Sequence, residues 1–136
     1  MTKDAAGELE AGLRRRPRLV AVEDDEDYRF VLREWLTPRY DVTFLPHGEG
    51  LFKEAERNEP ALVMLDLQLP GPGGLELCRR LRRHPWMRGV QILVLTGRRD
   101  PDALLGSFEA GASAFLMKPV AKEDLLEHLE ELMGVA

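Results

Sequence analysis

Cysteine is almost absent from this chain. Cys78 stands alone, so no intrachain disulfide can form, and a lone thiol is consistent with a reducing compartment. With the three histidines scattered at His47, His84 and His128, no Cys/His set has metal-ligand spacing, which argues against zinc and copper. Lysine is scarce too: only Lys3, Lys53, Lys118 and Lys122 appear among 19 basic residues. Positive charge is in deficit, with 24 acids and a net charge of −5, so the surface as a whole does not suit direct nucleic-acid binding. No apolar run approaches the ~20 residues of a membrane span, which excludes membrane insertion. The start, Thr2-Lys3-Asp4-Ala5-Ala6-Gly7-Glu8, lacks the apolar core of a signal peptide. A cytoplasmic location is the expectation.

What is present is regular. The length of 136 residues suits one domain with a sizeable core. Residues 1–17 read as a flexible N-terminal extension ending in Arg14-Arg15-Arg16-Pro17, and 18–134 as the folded domain, with no output domain present. Five short apolar runs follow: Leu19–Val22, Val42–Leu45, Ala61–Leu65, Ile92–Leu95 and Ala114–Met117. Short, nearly unalternated runs suit strands covered on both faces, as in a parallel sheet. Between them lie segments with helical spacing, among them Tyr28, Val31, Leu32, Trp35 and Leu36; Leu75, Cys78 and Leu81; Leu104, Leu105 and Phe108; and Leu125, Leu126, Leu129, Leu132 and Met133. Pro38, the Pro70–Gly74 loop, His84-Pro85 and Asp100-Pro101 punctuate the helices. Alternating strands and helices predict an α/β, doubly wound fold with helices on both faces of a five-stranded parallel sheet.

Four of the strand-like runs end in polar groups. Glu23 and Asp24 follow the first, Asp66 the third, Thr96 the fourth and Lys118 the fifth. In such sheets the carboxyl ends of the strands form the ligand crevice, so three carboxylates, a hydroxyl and an ammonium are expected to converge. Glu23, Asp24 and Asp66 sum to −3 and Lys118 adds +1. A remainder of −2 suits Mg²⁺, a hard ion that prefers oxygen ligands. A carboxylate can serve as a nucleophile forming an aspartyl phosphate, and phosphoryl transfer rests on positioning and charge neutralisation. Asp66 is the candidate nucleophile, Glu23 and Asp24 the metal holders, and Thr96 and Lys118 the partners of phosphoryl oxygens.

In this arrangement Val22-Glu23-Asp24-Asp25, Leu65-Asp66-Leu67-Gln68-Leu69-Pro70-Gly71, Leu95-Thr96-Gly97 and Phe115-Leu116-Met117-Lys118-Pro119 resemble the receiver domain of two-component response regulators, over about residues 18 to 134. The resemblance implies a flavodoxin-like (βα)5 three-layer sandwich with strand order 2-1-3-4-5. It implies that Asp66 accepts a phosphoryl group from a sensor histidine kinase or phosphotransfer protein in a Mg²⁺-dependent reaction. Asp24 would bind the metal directly, Glu23 mainly through water, and the backbone carbonyl of Gln68 would add a ligand. Phe115 matches the aromatic switch position coupled to Thr96, and the Lys118–Pro119 peptide the family's cis bond. Such a domain promotes its own phosphorylation and dephosphorylation but is not a turnover enzyme. It would signal through the face of the fourth helix, fifth strand and fifth helix to a separate, unknown downstream protein, as a monomer or weak dimer. The family often has Asp where this chain has Gly73.

Other readings stand beside these. Asp24 and Asp25 also suit capping of the first helix, and Phe115 suits a core aromatic. Arg79, Arg80, Arg82 and Arg83 read as a solvated helix face. Acids after the first strand and the lack of a Walker A sequence exclude the common nucleotide fingerprints. Gln68 stands where a dehalogenase-type phosphatase needs an Asp. The alternatives are a phosphorylation-independent interaction module on the same fold, or a receiver fragment of a larger regulator or hybrid kinase.

Overall fold

The computed structural model describes residues 16–134. The extension expected over residues 1–17 therefore lies, up to residue 15, outside the described residues. Its last two residues are bonded to the domain: Arg16 Nη1 donates to the Thr37 carbonyl at 3.0 Å, and the Pro17 carbonyl accepts from Asp41 N. Five strands, β1 (Arg18–Val22), β2 (Asp41–Leu45), β3 (Leu62–Leu65), β4 (Gln91–Thr96) and β5 (Ala114–Met117), pair in parallel in the order β2-β1-β3-β4-β5. Five α-helices cover them: α1 (Glu26–Leu36), α2 (Leu51–Arg57, entered by a 3₁₀ turn over Gly48–Gly50), α3 (Gly74–Arg83), α4 (Pro101–Glu109) and α5 (Lys122–Met133). This is the expected doubly wound sandwich and strand order. None of the helices is long and apolar enough to cross a membrane.

The apolar runs look continuous because alternate side chains enter two different cores. Leu19, Ala21, Leu62, Met64, Leu93 and Leu95 pack against Leu32 and Leu36 of α1 and Leu125 and Leu129 of α5. Val20, Val22, Val63, Leu65, Ile92 and Val94 pack against Leu51 of α2, Leu77, Cys78 and Leu81 of α3, and Ala103 of α4. Helix boundaries follow local chemistry. Asp25 caps α1, its side chain accepting from Tyr28 N at 3.1 Å, and Asp100 caps α4, accepting from Ala103 N at 3.0 Å with Pro101 in the first turn. Gly134, with φ 65°, ends α5 in the left-handed conformation.

Two sequence readings shift. In α4 the spaced apolar residues face outward: Leu104, Leu105 and Phe108 are exposed, while Ala103, Ser107 and Ala110 are buried. Small residues bring α4 close to its neighbours, and the Ser107 hydroxyl is satisfied by the Ala103 carbonyl at 2.7 Å. The arginines of α3 are not one solvated face either. Arg79, Arg80 and Arg83 share Glu76 at the surface. Arg82 is half-buried and donates to the carbonyls of Gly111, Arg88 and Val90 at 2.8, 2.8 and 2.6 Å. Its stem lies where a Gly111 side chain would sit, 2.5 Å from an ideal Cβ. One guanidinium thus ties α3 to the segment entering β4 and the turn entering β5.

The loop after β3 needs two of its glycines: Gly71, at φ 73°, takes the left-handed backbone that favours glycine, and Gly74 has no room for a side chain. An ideal Cβ on Gly74 would lie 2.2 Å from the Asp66 carbonyl oxygen and 2.8 Å from Leu67 Cα, both backbone. Gly73, the N-cap of α3, has ordinary extended backbone (φ −71°, ψ 169°), no side-chain cap, and only the Leu67 carbonyl oxygen at 3.5 Å from an ideal Cβ.

Four expectations follow. Arg82→Ala lowers unfolding free energy by about 1–3 kcal/mol, from several lost charge-assisted bonds, and Arg79→Ala by no more than about 0.5 kcal/mol. Gly73→Asp, which supplies a cap and stiffens the unfolded chain, stabilises by about 0.5–1 kcal/mol. Gly74→Ala costs about 1–3 kcal/mol, because backbone must move. Urea-denaturation midpoints at constant slope check all of them.

Candidate functional site

The level row Val22–Leu65–Val94–Phe115 crosses four adjacent strands, at the last residue of β1 and β3 and two residues before the ends of β4 and β5. Glu23 and Asp66 stand one residue beyond that row, Thr96 two beyond and Lys118 three beyond. The more distant the strand from β1 and β3, the farther along the chain its functional group sits, so all reach one point.

Asp66 is the centre. It is 5% exposed, and both of its oxygens are used. Oδ1 accepts from Thr96 Oγ1 at 2.8 Å and from Gln68 N at 3.0 Å; Oδ2 accepts from Lys118 Nζ at 2.8 Å. Lys118 Nζ also pairs with Glu23 Oε1, and Glu23 Oε2 accepts from Asp25 N at 3.1 Å. Glu23 is buried, whereas Asp24 is exposed. Carboxylate oxygens of Glu23, Asp24 and Asp66 lie within 4.8 Å of one another. The acidic run therefore divides its roles: Asp25 caps α1, while Glu23 and Asp24 join Asp66 in the carboxylate cluster. All three acids of the run, with Asp66, Gln68, Gly97 and Lys118, line an open cleft of about 270 Å³. A larger cleft of about 390 Å³, beside Arg16, Tyr40 and Asp41, gathers no comparable set of groups, so chemistry and not size picks out the site.

Burial is the largest influence on Glu23 and pushes its carboxyl above the usual range, against the pull of Lys118 and of the Asp25 N–H. For Lys118 burial works to lower the ammonium, but hydrogen bonds to Asp66 and Glu23 outweigh it and raise the group above its ordinary value. Lys118 is thus a fixed cation through the neutral range. Its carbonyl is held by Arg99 Nη2 at 3.0 Å and its amide donates to the Thr96 carbonyl at 2.8 Å. The Lys118–Pro119 peptide is cis, as the resemblance implied.

Three acidic side chains with hard oxygens around one clefted point, offset by a single ammonium, fit a divalent cation such as Mg²⁺. Gln68 lines the same cleft. Phe115 is not in it: half-buried on β5 opposite Val94, it packs on the α2–α4 side of the sheet, two positions before Thr96's partner in the pairing.

Some features were not anticipated. Arg29 Nη1 donates to the Glu23 carbonyl at 2.7 Å, steadying the acidic turn. The face of Tyr28 lies 4.3 Å from Lys118 Nζ. Arg98 N donates to Thr96 Oγ1 at 3.3 Å, and its guanidinium forks onto both oxygens of Asp100, the cap of α4, at 3.1 and 2.8 Å. Tyr28 stands in the first turn of α1, just after the acidic run, and that nearness was the available signal; its place in the α1 apolar series masked it.

Comparison with known proteins agrees with this geometry. A family model described as the response regulator receiver domain matches residues 19–130. The phosphate regulon transcriptional regulatory protein PhoB of Rhizobium meliloti is 30% identical over 118 residues, covering 86% of this chain and 52% of that protein. The chain thus spans about half the length of the curated relatives it matches. Among solved structures, the BeF3-activated N-terminal receiver domain of RstA from Klebsiella pneumoniae aligns with TM-score 0.79 at 32% identity, covering 85% of this chain and 97% of that one. The receiver domain of the sensor histidine kinase PA1611 from Pseudomonas aeruginosa, described with a magnesium ion in its active-site cleft, aligns with TM-score 0.80 at 27% identity, covering 87% and 98%. With fold, strand-end constellation and family match in agreement, the chain belongs to the response regulator receiver domains of two-component signalling.

Proposed function

We propose that this domain is a phosphoacceptor switch with Asp66 as the accepting residue. One observation carries the reading: the Asp66 carboxylate is buried at the strand ends, gripped by Thr96 Oγ1 and Lys118 Nζ at 2.8 Å each, with Glu23 and Asp24 beside it.

A carboxylate oxygen of Asp66 attacks the phosphorus of a phosphohistidine on a sensor kinase or phosphotransfer protein. The P–O bond forms, the P–N bond breaks, and the electron pair returns to the imidazole. The product is a mixed anhydride, and water later reverses the loading by attacking phosphorus. Lys118 offsets charge on the incoming phosphoryl oxygens, and Thr96 donates its hydroxyl to one of them. Asp24, Glu23, Asp66 and the Gln68 carbonyl are the residues that would hold Mg²⁺, which supplies further charge neutralisation. Asp25 stays with the helix cap.

Loading replaces the single charge of the Asp66 carboxylate with about −1.5 to −2 on the phosphoryl group, a net gain of about −0.5 to −1. The Thr96 hydroxyl has one proton, now given to Asp66, and accepts from Arg98 N. Redirecting it towards a phosphoryl oxygen bears on Arg98, hence on Asp100 and the start of α4. The outward Leu104, Leu105 and Phe108 of α4 and Met117 of β5 form an apolar surface on that side. This supports signalling through the α4–β5–α5 face, with Phe115 beneath it, to a downstream protein. Residues 18–134 are then the complete switch, within a natural chain that can carry more.

Intact mass after incubation with Mg²⁺ and acetyl phosphate tests the assignment. Wild type is expected to gain one phosphoryl group and Asp66→Asn none. Labelling of the Asn variant would sink the choice of Asp66. Without loading, Mg²⁺ is expected to raise the melting temperature of wild type and to have little effect on Asp24→Ala, as binding only to the folded state stabilises it.

A further inference from the structure

We propose that Tyr28 is a positioning residue for Lys118, its ring face holding the ammonium in the cleft while Asp66 changes charge. The inference rests on the phosphoacceptor reading and adds to it the group that keeps the lysine in place.

The geometry is specific. Lys118 Nζ lies 4.3 Å from the centroid of the Tyr28 ring, within cation–π range. Tyr28 is half-buried in the first turn of α1, where its own N–H is tied to the Asp25 cap at 3.1 Å. It packs in the core shared by α1 and α5, with Val120 in the same cluster. The ring therefore has a fixed place, set by a helix cap on one side and the β5–α5 connection on the other. Burial pushes its phenol above the ordinary value, against the opposing pull of the Lys118 charge and the Val120 backbone. The partner of Lys118 is thus a neutral ring, not a phenolate.

Neutrality matters for the reaction. An ammonium has three N–H donors. In the resting site they serve Glu23 and Asp66. When Asp66 becomes an acyl phosphate, that carboxylate is consumed and Lys118 must turn to phosphoryl oxygens. A third carboxylate in this place would compete for the same donors. An aromatic face attracts the charge without taking any of them, so its attraction persists before and after transfer. With the ring absent, Glu23 remains the sole charged partner that loading leaves intact, and Lys118 is drawn towards it. Among the lysines of the described residues, Lys118 alone directly follows a strand.

The test compares wild type, Tyr28→Phe and Tyr28→Leu, with Tyr28→Met replacing the Leu variant if that one does not fold. The first readout is the rate of acetyl phosphate labelling in Mg²⁺, followed by intact mass. The second is the ¹H–¹³C shift of the Lys118 ε-methylene, identified among the four lysines by its loss in Lys118→Arg. Tyr28→Phe is expected to keep both the rate and the ring-shielded shift. Tyr28→Leu is expected to label about three- to tenfold more slowly, the scale of a partly desolvated cation–π contact, and to lose the shielding. A labelling rate in Tyr28→Leu equal to wild type overturns the proposal, and so does a fall shared equally by Tyr28→Phe. A wild type that takes up no phosphoryl group overturns instead the phosphoacceptor reading, and with it any role of Tyr28 in that reaction.

Discussion

The contact on which this site depends is the ammonium of Lys118 between Glu23 and Asp66. Two buried carboxylates and a third at the rim could not share one point in low dielectric without a cation among them. Lys118 supplies it from the end of β5, reaching past β4 to β3 and β1. The reach succeeds because β4 and β5 run two residues past the row at which β1 and β3 end, carrying Thr96 and Lys118 farther along than Glu23 and Asp66. Residual negative charge is left over, which suits a divalent cation. Hydrogen bonds from Thr96 and Gln68 N spend the remaining capacity of Asp66 on orientation. A buried acid at a strand end is a cost to folding, and the surrounding donors are its compensation.

Much of this is legible in the sequence. Strand runs were plain because both faces of the sheet are covered, and helix limits were plain where Asp25, Pro38 and the Asp100-Pro101 pair act through local backbone chemistry. Site residues were legible because a polar group at the end of an apolar run has few structural reasons to be there. The ambiguity in the run Glu23-Asp24-Asp25 has a simple resolution: the third acid is the first that can turn its side chain back onto an exposed helix N–H.

What escaped the sequence is of one physical kind. Arg82 looked like its three neighbours, yet only it meets three carbonyls contributed by loops about 6 to 29 residues away. No local pattern encodes that meeting, which depends on tertiary closure. Helical spacing in α4 was correctly helical but did not reveal its inner face, because Ala103, Ser107 and Ala110 are too small to register as an apolar stripe. Periodicity reports large side chains, and close packing selects small ones. Tyr28 was absorbed into the α1 stripe for the converse reason: one aromatic can pack on the core with its edge and meet a charge with its face.

These features bear on how a local charge change could travel. Thr96 Oγ1 stands between two bonds, donating to Asp66 and accepting from Arg98 N. A hydroxyl with one proton cannot serve the carboxylate and a phosphoryl oxygen at once. On the proposed reading, its turn towards the new acceptor would shift the lone pairs that receive Arg98 N. The Arg98 side chain grips Asp100, whose other role is to cap α4. Any displacement of this loop therefore meets the helix whose apolar side chains are turned to solvent. The outward stripe of α4 costs nothing in core packing, since its small residues already fill the inner face. On the proposed reading, the exposed Leu104, Leu105 and Phe108 are the side chains offered to a downstream protein, while the buried small residues keep α4 on the core.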